Sequence, residues 1–352
     1  MNKVFSQTEF ATDLSLPWRP RPFTPLFRNG HLQTLLAHVW PVASPNLTRR
    51  SESKQVETEP QTQVLIHVSD PDDVIVRANP TKTLLIVHGL TGSAQSHYAL
   101  RLNSIALRAG YRVVRMNVRN CGNTEHLSHT LYHSGLTTDL NAVVHLLNEG
   151  PLYLAGFSMG GNMTLKLAGE WGSNPPPHVK AVAAVSVPVD LAACARRLGE
   201  RQNRFYERRF LRELRKTVAR KAALMPDRYS LALFSQVRSI IEFDHLYTAP
   251  DFGYRDAFDY YAHNSSRDFL EHIRLPALIL QAQDDPFIPF SLFETPAIDR
   301  NDFIHLLAPQ HGGHVGFISR EGFRFWAATE LLRFFDWVEP SHKSEVASPN
   351  RH

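Results

Sequence analysis

The stretch Leu152-Tyr153-Leu154-Ala155-Gly156-Phe157-Ser158-Met159-Gly160-Gly161 constrains this chain more than any other. A short apolar run stops at Gly-x-Ser-x-Gly, and a helix-like segment follows. That is the form of a nucleophile elbow, a strained strand-to-helix turn holding a serine hydroxyl above a parallel sheet. Such a serine sits in an unfavourable backbone conformation, and a Cβ at Gly156 or Gly160 would crowd the neighbouring strands. The helix after it points its positive end at Ser158 and leaves the Met159 amide free to bind an anion.

A serine hydroxyl is a weak nucleophile at neutral pH. It needs a base within hydrogen-bond reach, and the base needs an orienting acid. After an elbow of this kind the chain order is Ser, then Asp or Glu, then His. The apolar run Ala277-Leu278-Ile279-Leu280 reads as a buried strand and leads into Gln281-Ala282-Gln283-Asp284-Asp285-Pro286. The residue directly before proline is held extended, which favours Asp285 as the acid and makes Asp284 a turn former. The run Phe303 to Leu307 ends at Ala308-Pro309-Gln310-His311-Gly312-Gly313-His314. Glycines flank His314 and a closing helix follows, so His314 is the better base and His311 a loop residue. An oxyanion site would combine the Met159 amide with one from the loop after the strand Thr83 to Val87. There His88-Gly89-Leu90-Thr91-Gly92 offers the amide of Leu90. Singly, each of these motifs occurs in ordinary turns; their order, each at a strand end, carries the reading.

Strands and helices alternate along the chain. Strand 84–87 precedes a helix near 96–109 stopped by Gly110; strand 112–117 precedes a helix near 138–148; the elbow and its helix precede a strand at 181–187. This rhythm predicts an α/β fold with a mainly parallel central sheet flanked by helices and right-handed crossovers. Val64 to Val68 and Val74 to Val76 read as an opening antiparallel pair around Asp70-Pro71-Asp72-Asp73. Residues 1–60 read as a proline-bearing arm packed on the core, where Trp18, Phe23, Phe27 and Trp40 find burial. The core spans 61–187 and 276–338, and 339–352 is a flexible tail. Between them, 188–275 is too long for one crossover and reads as an inserted helical cap. Within it Tyr206, Phe210, Leu214 and Val218 recur every four residues as one stripe of a helix. Arg204, Arg208, Arg209, Arg212, Arg215, Lys216, Arg220 and Lys221 occupy its other faces. The first reading is a cap helix with solvated charges; the sharper one is a basic surface meeting anionic membrane.

The 352 residues, 43% of them hydrophobic, suffice for one large core plus an insertion. No run reaches the roughly 18 to 20 apolar residues that span a bilayer, and residues 1–21 lack a signal-peptide core. Two cysteines argue against a secreted disulfide scaffold and for a cytoplasmic enzyme, peripheral to a membrane at most. The net charge of +4 is too small to imply nucleic-acid binding. His126, His129 and His133 would share a helix face, but Asn123, Ser128, Ser134 and Gly135 make the stretch loop-like, so no metal site is read there. No dinucleotide or phosphate-loop fingerprint occurs, so no cofactor is called for.

At the elbow the chain resembles the α/β-hydrolase superfamily, and over about 23–338 it is most similar to its YheT-type subgroup, the embryogenesis-associated-protein-like hydrolases. The resemblance rests on Asn29-Gly30-His31-Leu32-Gln33-Thr34, Asn117-Val118-Arg119-Asn120-Cys121-Gly122, Leu131-Tyr132-His133-Ser134-Gly135 and Gly160-Gly161-Asn162. This chain has Asn120 where the family pattern has Gly. The resemblance implies Ser158, Asp285 and His314 as the catalytic triad and carboxylic-ester hydrolysis of short-chain or lipid acyl esters. The alternatives are acyl transfer by the same triad and a non-catalytic ligand-binding protein on the same fold.

Overall fold

A computed structural model describes residues 4–5, 18–42, 51–71 and 82–339. Through them runs a nine-stranded sheet in the order β1-β9-β8-β7-β6-β4-β5-β3-β2. The strands are β1 (Val4–Phe5), β2 (Glu52–Glu59), β3 (Thr62–Ser69), β4 (Thr83–Val87), β5 (Arg112–Asn117), β6 (Leu152–Phe157), β7 (Val179–Val185), β8 (Ala277–Leu280) and β9 (Ile304–Leu307). Every neighbouring pair is parallel except those made by β3, which runs antiparallel to both β2 and β5. The central strands β4, β6 and β8 are buried at every position, which is why they read as unbroken apolar runs.

The longer helices are α1 (Gly30–Val39), α2 (His97–Arg108), α3 (Thr137–Leu146), α4 (Met159–Trp171), α5 (Leu191–Leu198), α6 (Arg204–Leu224), α7 (Ala257–Asn264) and α8 (Trp326–Val338). Side chains alternate across the pleat, so each strand feeds two cores. Leu84 and Ile86 pack with Ala99 and Leu102 of α2 and with Leu331 and Phe335 of α8. Leu85 and Val87 pack on the other face with Leu140 and Val143 of α3 and with Met163 and Leu167 of α4. Parallel neighbours need crossovers, and these place α2, α3 and α4 on both faces.

The opening hairpin differs from the sequence expectation. β3 pairs with β2, not with a strand over Val74–Val76, which lies outside the described residues. The hairpin therefore begins at Glu52, inside the stretch read as an arm. β2 has the sequence ESKQVETE and buries only Val56, so an edge strand with both faces wet carries no apolar periodicity to find. Trp18 and Phe23 of the arm are buried against Phe334 and Trp326 of α8, while Phe27 and Trp40 stay half-buried. The tail from Pro340 onward also lies outside the described residues.

Between β7 and β8 the described chain is helical and adds no strand to the sheet. In α6 the stripe of Tyr206, Leu214 and Val218 is buried, joined by Leu211, and Phe210 packs against the same core. A π-helical turn, Asp244–Thr248, follows the short helix Ile240–Phe243. No helix among the described residues is long and apolar enough to cross a membrane.

Candidate active site

β6 ends at Phe157, and the chain turns through Ser158 at φ 52° and ψ −120° into α4. Only tight packing permits this. A Cβ on Gly160 would lie 2.5 Å from the Val87 carbonyl oxygen of the neighbouring strand β4. A Cβ on Gly156 would lie 2.2 Å from the Gly160 carbonyl oxygen, so its conflict is with the start of α4, not with a neighbouring strand as expected from the sequence.

Three side chains distant in sequence converge at this turn. His314 Nε2 lies 3.0 Å from Ser158 Oγ, and His314 Nδ1 lies 2.9 Å from Asp285 Oδ2. A carboxylate accepts only, so Nδ1–H donates to Asp285 and Nε2 is left to accept the serine proton. Asp285 Oδ1 also accepts the amides of Phe287 and Ile288, at 2.9 and 3.2 Å, and Oδ2 accepts from Gln281 Nε2. The carboxylate is fully buried and its orientation is fixed by four partners. Asp284 points elsewhere: it accepts the Gly313 amide and contacts His311 Nδ1, so this second Asp–His pair braces the loop before His314.

The loop after β4 is held by hydrogen bonds on both sides of Leu90. The Gly89 amide donates to Tyr98 Oη at 2.9 Å, and the Thr91 amide donates to Tyr132 Oη at 3.2 Å. Neither the Leu90 amide nor the Met159 amide has a hydrogen-bond partner among the described residues. His88 anchors the loop from below: its Nε2 accepts the Val118 amide at 3.0 Å, so its Nδ1–H donates to the Gly89 carbonyl at 2.8 Å. Burial drives its pKa down to about 4, keeping it neutral.

Several supports carried no assignable role in the sequence. Thr34 Oγ1 accepts the His314 amide at 2.8 Å, and Ser186 Oγ accepts the Val315 amide at 2.9 Å. Gln33 is fully buried; it accepts the Ile318 amide and donates to the carbonyls of Ile318 and Phe27. The motif Asn29 to Thr34 thus becomes a capped helix wedged beneath the His314 loop. Asn29 Oδ1 accepts the Leu32 amide, and Gly30 leaves room for the Asp284 carbonyl, which a Cβ would meet at 2.0 Å. Asn120 adopts φ 61°, a conformation asparagine tolerates as glycine does, and its side chain bonds Ser128 and Thr130.

Ser158 and His314 line two joined cavities. One, of about 320 Å³, opens past Leu35, His38, Gln95, His97 and Arg209. The other, about 90 Å³, is mostly apolar and runs between Met159, Leu191, Cys194, Leu198, Ile240 and Ile288. Of the three histidines weighed as metal ligands, His133 is buried, accepts the Gly135 amide and packs edge-on to Phe252 and Tyr260. Burial lowers its pKa to about 3. Among the described residues no group of three or more His, Cys, Asp or Glu side chains is gathered to hold a metal ion.

Comparison with known proteins agrees with this architecture. The family described as alpha/beta hydrolase fold matches residues 82–321. The chain is 37% identical over 305 residues to "Putative esterase YheT" of Escherichia coli, covering 83% of this chain and 85% of that one. It is 30% identical to the monoacylglycerol lipase of Saccharomyces cerevisiae, covering 75% of this chain and 61% of that one. Among solved structures, the Pyrococcus furiosus esterase Pf2001 superposes with a TM-score of 0.54 at 16% identity, over 82% of this chain and 91% of that one. That last likeness is one of fold.

Proposed function

This chain belongs to the α/β-hydrolase family, in its YheT-type subgroup, and is a carboxylic ester hydrolase; we propose on that premise that Ser158, His314 and Asp285 carry the reaction. The observation that carries the reading is the continuous hydrogen-bond chain from Ser158 Oγ through His314 to Asp285. His314 Nε2 removes the proton as Ser158 Oγ attacks the ester carbonyl, and Asp285 stabilises the imidazolium that forms. The amides of Leu90 and Met159 bind the oxyanion; each such donor is worth roughly 3 kcal/mol of barrier. His314 then gives its proton to the departing alcohol, and water attacks the acyl-enzyme by the same path in reverse.

Residues 188–275 act as a cap: α6 walls both cavities, α5 walls the narrow apolar one, and that narrow cavity suits an acyl chain. Short-chain or lipid acyl esters are therefore the substrate class. A second reading, transient contact of the cap with a lipid surface, is favoured by exposed Leu32, Leu35 and Val39 on α1 beside exposed Phe205 on α6.

A hydrolysis panel of p-nitrophenyl esters and glycerolipids of graded length tests the assignment. Ser158→Ala abolishes turnover and fluorophosphonate labelling while leaving the melting profile intact. Asp285→Asn lowers kcat on the order of 10⁴-fold, whereas Asp284→Asn lowers it far less. A large loss at Asp284 and a small one at Asp285 would reverse the choice of acid.

A further inference from the structure

Four basic side chains from three elements meet at the mouth of the larger cavity. His38 ends α1, His97 and Arg101 begin α2, and Arg209 comes from α6. Arg209 Nη2 donates to His38 Nε2, and Arg101 Nη1 donates to His97 Nδ1 at 2.8 Å. The two imidazoles touch edge-to-face with centroids 5.2 Å apart. His38, His97 and Arg209 line the same cavity as Ser158 and His314.

Some cap arginines meet acids: Arg220 pairs with Glu125, Arg228 with Asp251 and Arg267 with Asp190; others, such as Arg204, Arg208 and Arg212, project from α6 into solvent. Among the described residues neither Arg101 nor Arg209 forms an ion pair. Arg101 is nearly buried, spends its other contacts on the Trp40 carbonyl and the Phe325 ring, and keeps an unpartnered Nε. Two guanidinium charges in one partly desolvated site without a counter-charge form a standing deficit, which an anion would fill. The histidines do not add charge. Burial, then the neighbouring arginines, drives the His97 pKa to about 3 and lowers that of His38. Each imidazole already accepts from an arginine, so the remaining ring nitrogen of each is an N–H donor.

The two cavities differ in what they can hold. The apolar one, between α5 and Ile240, suits the acyl chain; the mouth is then where the alcohol half of the ester lies and leaves. We propose that this mouth is an anion subsite, with Arg209 as its contact and His38 and His97 as neutral donors beside it, selecting esters whose alcohol carries a carboxylate or phosphate. Arg209 has further guanidinium donors beyond the one given to His38, so it can grip such a group in the planar, two-point manner that suits oxyanions. The inference rests on the ester-hydrolase reading above.

The test compares matched pairs of butyryl esters that differ in one anionic group: 4-butyryloxybenzoate against its methyl ester, and butyryl glycerol 3-phosphate against monobutyrylglycerol. The readout is the ratio of kcat/KM, anionic over neutral. A charge-assisted contact in this setting is worth about 10- to 100-fold, so a ratio of at least 10 is expected in the wild type on one or both pairs. Preference on both pairs marks a general oxyanion subsite; preference on the phosphate pair alone marks a headgroup subsite. Arg209→Gln collapses the ratio toward 1, and Lys216→Gln, on the same helix and outside the cavity, keeps it. Should Arg209→Gln fold poorly, His38→Gln on the exposed side reads the same loss. Neutral esters turned over with no anionic preference, or a preference unmoved in Arg209→Gln, overturns the subsite alone. No turnover of any ester by the wild type overturns the hydrolase reading and the subsite with it.

Discussion

Ser158, Ser186, Val315 and Phe317 all hold positive φ, at 52°, 53°, 56° and 44°. Non-glycine residues in that region cost about 1–3 kcal/mol each, and the β-branched Val315 is the least expected of them. Such strain persists only where the surroundings over-determine it. Ser186 Oγ fixes the Val315 amide, Thr34 Oγ1 fixes the His314 amide, and Gln33 satisfies both polar backbone groups of Ile318. Gln33 is thus the pin on the far side of the strained turn. Gln33→Ala leaves the buried Ile318 amide unpaired, while the Leu26 amide still bonds the Ile318 carbonyl, and costs about 1–3 kcal/mol, with kcat falling alongside as His314 loses its fixed position. Urea denaturation together with ester turnover checks this. A change below about 0.5 kcal/mol, the scale of an ordinary surface substitution, would remove Gln33 from that role.

Whole elements were legible in the sequence where a local rule shaped them. The elbow showed itself because steric exclusion at Gly156 and Gly160 leaves few alternatives to glycine, and β4, β6 and β8 because burial on both faces demands continuous apolar runs. Asp285 could be preferred to Asp284 because the following proline restricts it, and the geometry brings Asp285, not Asp284, to His314. β2 was invisible since an edge strand without a buried face has no pattern. The work of α1 was equally invisible: the Gln33 contact with Ile318 spans 285 positions of sequence. α1 also presents an exposed apolar face. Leu32, Leu35 and Val39 are 45, 37 and 70% exposed on one side of it, and Phe205 on neighbouring α6 is 65% exposed. Arg204, Arg208 and Arg212 are exposed along α6. Apolar residues rimmed by cations suit an anionic lipid surface better than solvent. The chain therefore sediments with vesicles containing phosphatidylglycerol more than with neutral ones, and Leu35→Glu/Val39→Glu weakens that binding. Equal sedimentation with both vesicle types would refute the contact.

Across the whole molecule, buried ionisable groups of opposite kinds set the response to pH. His88, His97 and His133 are held neutral, with pKa values lowered to about 4, about 3 and about 3, chiefly by burial. Above pH 6.5 neither the folded nor the unfolded chain protonates them, and their stabilising contribution is fully present. As pH falls below 6.5 the unfolded chain takes up protons that the folded one refuses, so that contribution is lost progressively toward pH 4 and below. Glu330 and Asp244 act in the other direction, since burial raises them to about 7 and about 6. Each is protonated in the fold while ionised in the unfolded chain, so its contribution is present below about pH 4 and lost as pH rises toward 6 or 7. Each group unmatched between the two states contributes about 1.4 kcal/mol per pH unit. From about pH 6 down to 4.5 the two acids offset two of the three histidines, leaving the equivalent of one unmatched group; below about pH 4 the acids are neutral in both states and the loss from His97 and His133 stands alone. A melting temperature falling gently between pH 6 and 4.5 and continuing to fall below pH 4 is the expected profile. Glu330→Gln removes one offsetting group, raising stability near pH 7 relative to its value at pH 5 and steepening the decline. Melting curves at half-unit pH intervals for the two proteins check it, and a slope unchanged by Glu330→Gln would show that the buried carboxyl is not a counterweight.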